Sequence, residues 1–447
     1  MEFEDKLAKL LQVSGLLEFS NDAVLKEEHQ ESVSITLSIK IDEIRNHLGT
    51  RTPYRFKYNK EVSKIKYDHC KDTKIWMVVR HGTRLPSAKD IRGMNSTLKD
   101  LKYEILMQHR LKKGPLNSQQ LDAFEEWSSD LDINQEKFLT YEGQDEMILL
   151  AERTQKRFPN VLKRKYNNHT FEFRYTATQR AQQSARYFTI GLFDKKDAQN
   201  VIFSPATKVD MHLRFYKHCD KWQKQVKKNP NTYKEQKKFG HGHIMNETLK
   251  SVSQRLGLNR TLRLGTVTLI YKICGYETSW RKNHLSPWCY AFDPHSAEVM
   301  EYYIDLKHYW LDGYGHNLSY RQACILMKIM FERFKGNGPN ATFLFAHSGT
   351  LLKLLTKLQL YKSERPLTGD EMDRDRKWRA SEIDCFASNL AFVLYKCRDG
   401  DHILTMHQER IIKLPMCDKE LCPLTTLLDY FRESINDCDI NDICRLN

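Results

Sequence analysis

The sequence predicts an α/β protein: a doubly wound mixed sheet with an inserted helical cap domain. Three observations lead there. Apolar runs at 75–79, 171–175 and 341–346 each stop at a polar loop carrying Arg or His. The second and third loops run directly into helical spacing, AQQSARYFTIGLF and TLLKLLTKLQL. The long stretches between these units, about 91–169 and 206–339, read as mostly helical. Repeated strand, loop and helix is the pattern of a sheet covered by helices, with ligands at the carboxyl edge.

Taken in order, residues 1–45 are helix-leaning or loose, hold no catalytic pattern, and are read as an appendage to a domain spanning 46–447. Gly49 to Tyr54 (GTRTPY) reads as a turn entering the body. The run Ile75-Trp76-Met77-Val78-Val79 is a buried strand delivering Arg80-His81-Gly82-Thr83-Arg84. Amphipathic runs such as DEMILLAERTQKRF, separated by polar loops at GMNST and KKGPLNS, give the first part of the cap. FEFRY alternates and then delivers TATQR, placing Arg180 near a helix N-terminus, where anions are favoured. The lysine-rich segment Lys221–Lys238 reads either as a solvated face or as a wall of an electropositive bowl. In ATFLFAHSGTLLKLLTKLQL, Leu351, Leu352, Leu355 and Leu358 form a core stripe, while His347 sits at the strand end. NLAFVLYKC is a further strand, so the α/β core is assembled from about 46–90, 170–205 and 340–435.

At 447 residues, 40% hydrophobic and 11% aromatic, the chain is globular and not disordered. A net charge of +14 attracts polyanions: multiply phosphorylated small molecules, or an anionic membrane or glycan surface. No fold signature or aromatic/basic motif supports nucleic-acid binding. The 11 cysteines are not spaced as a zinc site and point to disulfides, and six Asn-x-Ser/Thr sequons, at Asn95, Asn168, Asn246, Asn259, Asn317 and Asn340, agree. Glu2, Glu4 and Asp5 stand where a signal peptide needs a basic start, and no run reaches the roughly 18 apolar residues of a membrane span. We expect a secreted or lumenal mature domain, in the endoplasmic reticulum or outside the cell, whose first residues are not its native leader.

The chemistry is legible in Arg80-His81-Gly82-Thr83-Arg84. Arginine forks match phosphate oxygens bidentately, and a neutral imidazole nitrogen between them can attack the phosphorus they hold. Gly82 lets the backbone bend and approach a ligand closely. With the strand ends at Arg180 and His347, this describes one crevice built for phosphoryl transfer. Positioning and charge neutralisation dominate such chemistry, so no metal or other cofactor is required. His241-Gly242-His243 lacks an evident third ligand.

At this point the chain resembles the histidine acid phosphatases, and within them the multiple inositol polyphosphate phosphatase branch. The resemblance spans roughly 46–435 and rests on RHGTRLP, TATQRAQQSA, HLRFYKHCDKW, Ile273–Gly315 with its Ser-Pro-Trp-Cys segment, FAHSGTLLKLLTKLQL and NLAFVLYKC. It implies the histidine phosphatase fold and the removal of phosphates from inositol polyphosphates such as phytate, or from 2,3-bisphosphoglycerate. His81 would be the nucleophile forming a phosphohistidine, Arg80, Arg84 and Arg180 would clamp the phosphoryl group, and His347 would add a donor.

One tetrapeptide departs from that family. Its members carry His-Asp or His-Ala-Glu after this strand, the carboxyl group protonating the leaving alkoxide, whereas here the residues are His347-Ser348-Gly349-Thr350. Two readings follow: an altered phosphatase, or an impaired relative that binds polyphosphorylated ligands without efficient turnover. To stand in for it, Asp373, Asp375, Glu382 or Asp384 would have to reach in from the following loop. The resemblance also implies disulfides Cys70–Cys397, Cys274–Cys289 and Cys417–Cys422, with Cys219 meeting Cys438 or Cys444; Cys324, inside an apolar helical pattern, is read as a buried free thiol.

Overall fold

The computed structural model describes residues 43–446 except 283, 284 and 337, so the expected appendage lies outside the described residues up to residue 42. Ile44–Asn447 forms one compact unit. Its sheet has seven strands: β1 (Cys70–Arg80), β2 (Phe171–Tyr175), β3 (Ala341–Ala346), β4 (Asn389–Cys397), β5 (Gly400–His407), β6 (Arg410–Ile411) and β7 (Leu421–Pro423). The order is β2-β3-β1-β4-β5-β6, with β7 on β5. β1 and β2 pair parallel to β3, while β4 and β5 run antiparallel, so the sheet is mixed.

β1 is central, and its continuous apolar run is what burial on both faces demands. Ile75, Met77 and Val79 enter one core with Phe343 and Phe345, while Trp76 and Val78 enter the other with Leu344 and Ala346. That is the period of two of a strand whose alternate side chains face opposite layers.

Helices cover both faces. α1 (Tyr141–Arg157) and α2 (Gln179–Leu192) pack Met147, Leu150, Ala185 and Phe188 into the first core. α3 (Leu264–Trp280), α4 (Pro294–Asp312), α5 (Cys324–Lys335) and α6 (Ser348–Lys357) fill the second. The stripe Leu351, Leu352, Leu355 and Leu358 is fully buried there. Gly49 has φ +56°, the left-handed backbone that the entering turn requires.

Five disulfides cross-link the unit. Cys70–Cys397 joins register partners of β1 and β4, and Cys274–Cys289 and Cys417–Cys422 are local. Cys219 takes Cys444, the second of its two candidates. Cys324 is not free: it bonds Cys438, and the free thiol is the buried Cys385. The apolar spacing around Cys324 reported burial correctly, but a half-cystine is as buried as a thiol, and its partner arrives from 114 residues further along.

Candidate active site

The three parallel strands end level with one another. Arg80 is the register partner of Ala346, and Tyr175 that of Phe345, so His81, Thr176 and His347 emerge side by side at the carboxyl edge. The His81 N–H donates to the Ala346 carbonyl at 3.1 Å, and the Thr176 N–H to that of Phe345 at 3.2 Å. The rings of His81 and His347 stand 5.4 Å apart, edge to face.

The loop after β1 is fixed from behind. The N–H and hydroxyl of Thr83 donate to Glu146 of α1 at 2.7 and 2.9 Å, and the Gly82 N–H donates to Ser184 Oγ of α2 at 3.1 Å. A Cβ on Gly82 would lie 2.5 Å from the Gly143 carbonyl oxygen. The close approach that makes this residue a glycine is thus to the backbone of α1, and its φ is not in the left-handed region. Burial pushes the Glu146 carboxyl up to about 7 despite its three donors.

His81 is 4% exposed, and its Nδ1 lies 2.9 Å from the Gly82 carbonyl oxygen. A carbonyl only accepts, so Nδ1 carries the proton and Nε2 keeps its lone pair. Burial, then the Arg180 charge, His347, Arg80 and Arg84 hold the His81 imidazole well below its ordinary value, so it stays neutral in acid. His347 is depressed by burial and by Arg180 and Arg214. Its Nε2 lies 2.9 Å from Thr176 Oγ1 and its Nδ1 3.4 Å from the Arg180 guanidinium. A guanidinium only donates, so Nδ1 accepts from Arg180 and Nε2 carries the proton, donating to the Thr176 hydroxyl.

The guanidiniums around these rings have donors to spare. Arg80 Nη1 donates to the carbonyls of Thr50 and Asp384, while its other terminal nitrogen makes no hydrogen bond among the described residues. Arg84 lies over the Tyr276 ring at 5.4 Å and gives one bond to the Leu85 carbonyl. Arg180 Nε and Arg214 Nε are buried without partners. Burial, then Arg84 and Arg214, push Arg180 down to about 9, still protonated at neutral pH. Nearby, burial and the charges of Lys227 and Arg214 push Lys217 down to about 8, while Lys224, Lys228, Lys234, Lys237 and Lys238 are exposed. The lysine-rich segment is therefore mostly a solvated face, with Lys227 adding to the field beside Arg214.

The five residues singled out in the sequence, Arg80, His81, Arg84, Arg180 and His347, are thus brought together. Arg214 is a cation that residue-level reading missed; it lies in HLRFYKHCDKW, marked only by resemblance. So was the group behind Gly349: Tyr216, Asp312 and Lys353. A Cβ on Gly349 would stand 3.1 Å from Tyr216 Cζ and 3.4 Å from Asp312 Oδ1. Burial opposes ionisation of Asp312, but its ion pair with Lys353 and its contact with His308 at 3.1 Å prevail and hold its carboxyl well below the usual range. Asp312 is a fixed anion, not a proton donor.

Metal ligands are not gathered here. Among the described residues the one grouping able to hold an ion is Cys397, Asp399 and His402, and Cys397 is spent in a disulfide. His241 bonds the Lys237 carbonyl through Nδ1 at 2.7 Å, and both His241 and His243 are exposed.

Residues 73–414 match the model of the histidine phosphatase superfamily (branch 2). The chain is 30% identical over 412 residues to multiple inositol polyphosphate phosphatase 1 of Drosophila melanogaster, covering 89% of this chain and 87% of the relative. The crystal structure of the phytase from D. castellii aligns with a TM-score of 0.74 at 16% identity, over 90% of this chain and 88% of that one. A Bifidobacterium longum multiple inositol polyphosphate phosphatase, solved in complex with inositol hexasulfate, aligns with a TM-score of 0.64 at 13% identity, over 86% and 97%. At these identities the structural likeness is one of fold.

Proposed function

The chain belongs to branch 2 of the histidine phosphatase superfamily, and from that premise we propose that it removes phosphates from inositol polyphosphates such as phytate, and from 2,3-bisphosphoglycerate, through a phosphohistidine on His81. The observation that carries this is the tautomer of His81: Nδ1–H is tied to the Gly82 carbonyl, which leaves the Nε2 lone pair free among Arg80, Arg84, Arg180 and His347. Those guanidiniums hold the phosphoryl oxygens and neutralise the charge of an in-line displacement. Arg214 and Lys217 widen the positive field toward the further phosphates of a polyphosphorylated ring. The names of these relatives support the substrate class.

The second reading, a polyphosphate binder with little turnover, is favoured by Gly349, which offers no acid to the leaving oxygen. Both readings place the work in an oxidising compartment, supported by the five disulfides and by the exposure of all six sequon asparagines. No helix among the described residues is long and apolar enough to cross a membrane.

Phosphate release from inositol hexakisphosphate, measured from acid to neutral pH for the protein and for His81→Ala, tests the proposal. Release that vanishes in His81→Ala supports it. Turnover surviving in that variant refutes the nucleophile, and tight binding without release in the unmodified chain selects the binder.

A further inference from the structure

An inositol alkoxide is a poor leaving group, so a phosphatase acting on it needs a proton donor. The position where relatives of this kind would carry it is closed: Tyr216 and Asp312 occupy the space a side chain on Gly349 would enter. One residue earlier the situation differs. Ser348 opens α6 directly after His347, is half-buried, and its hydroxyl bonds Asp384 Oδ2.

Asp384 follows the short helix Ala380–Ile383 and is 0% exposed. Its backbone carbonyl accepts from Arg80, the residue before the nucleophile, and its Oδ1 stands 3.8 Å from the same guanidinium nitrogen without a hydrogen bond. The next residues stay against the site: the Ala387 N–H donates to the His81 carbonyl at 3.3 Å, and the Phe386 ring lies 6.4 Å from that of His81. Asp384 is therefore a carboxyl group sealed from water, with one oxygen unbonded and the other held by the hydroxyl of the residue that follows His347.

We propose that Asp384 supplies the proton of the leaving alkoxide through the Ser348 hydroxyl. Nε2 of His81 bonds to phosphorus as the bond from phosphorus to the ester oxygen breaks. That oxygen takes the Ser348 hydroxyl proton, and Ser348 Oγ takes the proton of Asp384 Oδ2, leaving Asp384 a carboxylate. In the second half, the oxygen of water bonds to phosphorus as the bond from phosphorus to His81 Nε2 breaks and its electron pair returns to the imidazole, while the proton of the water passes to Ser348 Oγ and the Ser348 hydroxyl proton to Asp384 Oδ2. The chain ends with the same protons it began with, and no co-reactant is needed.

The surroundings suit an acid that is reloaded in each turnover. Burial pushes the Asp384 carboxyl above its ordinary value and the charge of Asp312 adds to this, while Arg80, Ser348 and His308 pull it back. The neighbouring Cys385 thiol is itself driven up by burial and is no competing acid. Of the four stand-in candidates read from the sequence, Asp373 and Asp375 lie in an exposed loop, and Glu382, itself exposed, is paired with Lys57. Asp384 alone among them bonds the loop after β3.

The proposal rests on His81 being a phosphatase nucleophile, so the experiment separates the two. Turnover of inositol hexakisphosphate, an alkyl ester, is compared with that of p-nitrophenyl phosphate, whose phenolate leaves without a proton. Asp384→Asn and Ser348→Ala should each lose about 10²- to 10⁴-fold in kcat/KM, which reports the step in which the alcohol leaves and not the later hydrolysis of the phosphohistidine, on the alkyl ester and only a few-fold on the aryl ester. Ser348→Thr, which keeps the hydroxyl, should restore most of the loss. His81→Ala should abolish both activities. Equal losses on both esters in Asp384→Asn and Ser348→Ala, or no loss on either, overturn the relay while leaving the phosphatase reading intact. Absence of turnover on both esters by the unmodified chain overturns both.

Discussion

Restoring a carboxylic acid at position 349 is the direct test of whether this loop still accommodates one, and Gly349→Glu is expected to fail. The first new atom, Cβ, would stand 3.1 Å from Tyr216 Cζ, 3.2 Å from its hydroxyl and 3.4 Å from Asp312 Oδ1. Tyr216 has little room to retreat. It is 6% exposed, held edge to face by Phe215 and Trp222 at 5.6 Å each, with the Lys353 ammonium 4.6 Å from its ring centre. Overpacking of this kind costs about 1–3 kcal/mol. The new carboxylate would lie about 5 Å from that of Asp312, a repulsion of about 3 kcal/mol at an effective dielectric constant near 20.

Together these amount to about 4–6 kcal/mol, which at about 2 cal/mol/K per residue over roughly 400 residues lowers the melting temperature by about 5–7 °C. An acid displaced by such crowding recovers little of the 10²- to 10⁴-fold that a positioned one supplies, so the gain in kcat on inositol hexakisphosphate should stay below about tenfold. Thermal unfolding followed by fluorescence, beside a phosphate-release assay, measures both effects. Gly349→Ala separates crowding from charge: it keeps the Cβ, drops the carboxylate, and should lose at most about 3 kcal/mol. A hundredfold rate gain in Gly349→Glu at unchanged melting temperature would refute the reasoning.

Other residues give sharper single outcomes. Arg214→Ala should weaken binding of inositol hexakisphosphate more than that of inorganic phosphate, because its free guanidinium extends the positive field beyond the His81 clamp; equal losses in calorimetric titrations of the two would contradict this. Arg376 is fully buried between Glu301 and Asp305, at 3.4 and 2.8 Å. Glu301 keeps Arg379 and His47, but Asp305 loses its cation, so Arg376→Ala should destabilise the protein by about 3–5 kcal/mol, whatever the substrate, as denaturant unfolding would report.

What could be read from the sequence was what short-range chemistry controls. β1 announced itself because a strand buried on both faces must be apolar throughout, and its charged end because nothing but a site tolerates that change at the sheet edge. The core span read to 435 contains β5, β6 and β7, but the last strand legible by itself was 389–397; GDHILTMH mixes polar residues into its run, because the outer end of β5 is exposed. Arg214 and Asp384 carry no local signal. Arg214 follows no periodic element, and Asp384 differs from Asp373 and Asp375 only in a contact made across the fold. Gly82 was legible as a close approach, but not as one between β1 and the Gly143 turn of α1, since sequence does not say which backbone arrives.

The same burial that prepares the site also sets how it withstands acid. His81, His347 and His407 are all held below the ordinary histidine value by burial first, His407 down to about 3. Below about pH 6.5 the unfolded chain takes up protons that these folded histidines refuse, so each costs up to about 1.4 kcal/mol per pH unit as acid increases. Glu146 and Glu277, pushed by burial up to about 7, act with the opposite sign. Their contribution is fully present below the unfolded glutamate value near 4.5 and is lost as pH rises through about 7, so each regains about 1.4 kcal/mol per unit on acidification through that window. Asp384, also raised, adds in the same direction. His212 and His316, also lowered by burial, add to the losses, and Glu142 and Asp305, the latter pushed by burial up to about 7, add to the gains, so the two sides nearly cancel between about pH 6.5 and 4.5 and the melting temperature should be almost flat there. Below about 4.5 the carboxyl gain ends while the histidine cost continues, so stability should fall. Phosphate, by answering the guanidinium charge, should raise the melting temperature throughout, by the equivalent of about 2.7 kcal/mol at a hundredfold excess over its Kd. A steep decline setting in already at pH 6.5 would mean that the carboxyl groups behind the site are not held protonated, and the offset argued here would be wrong.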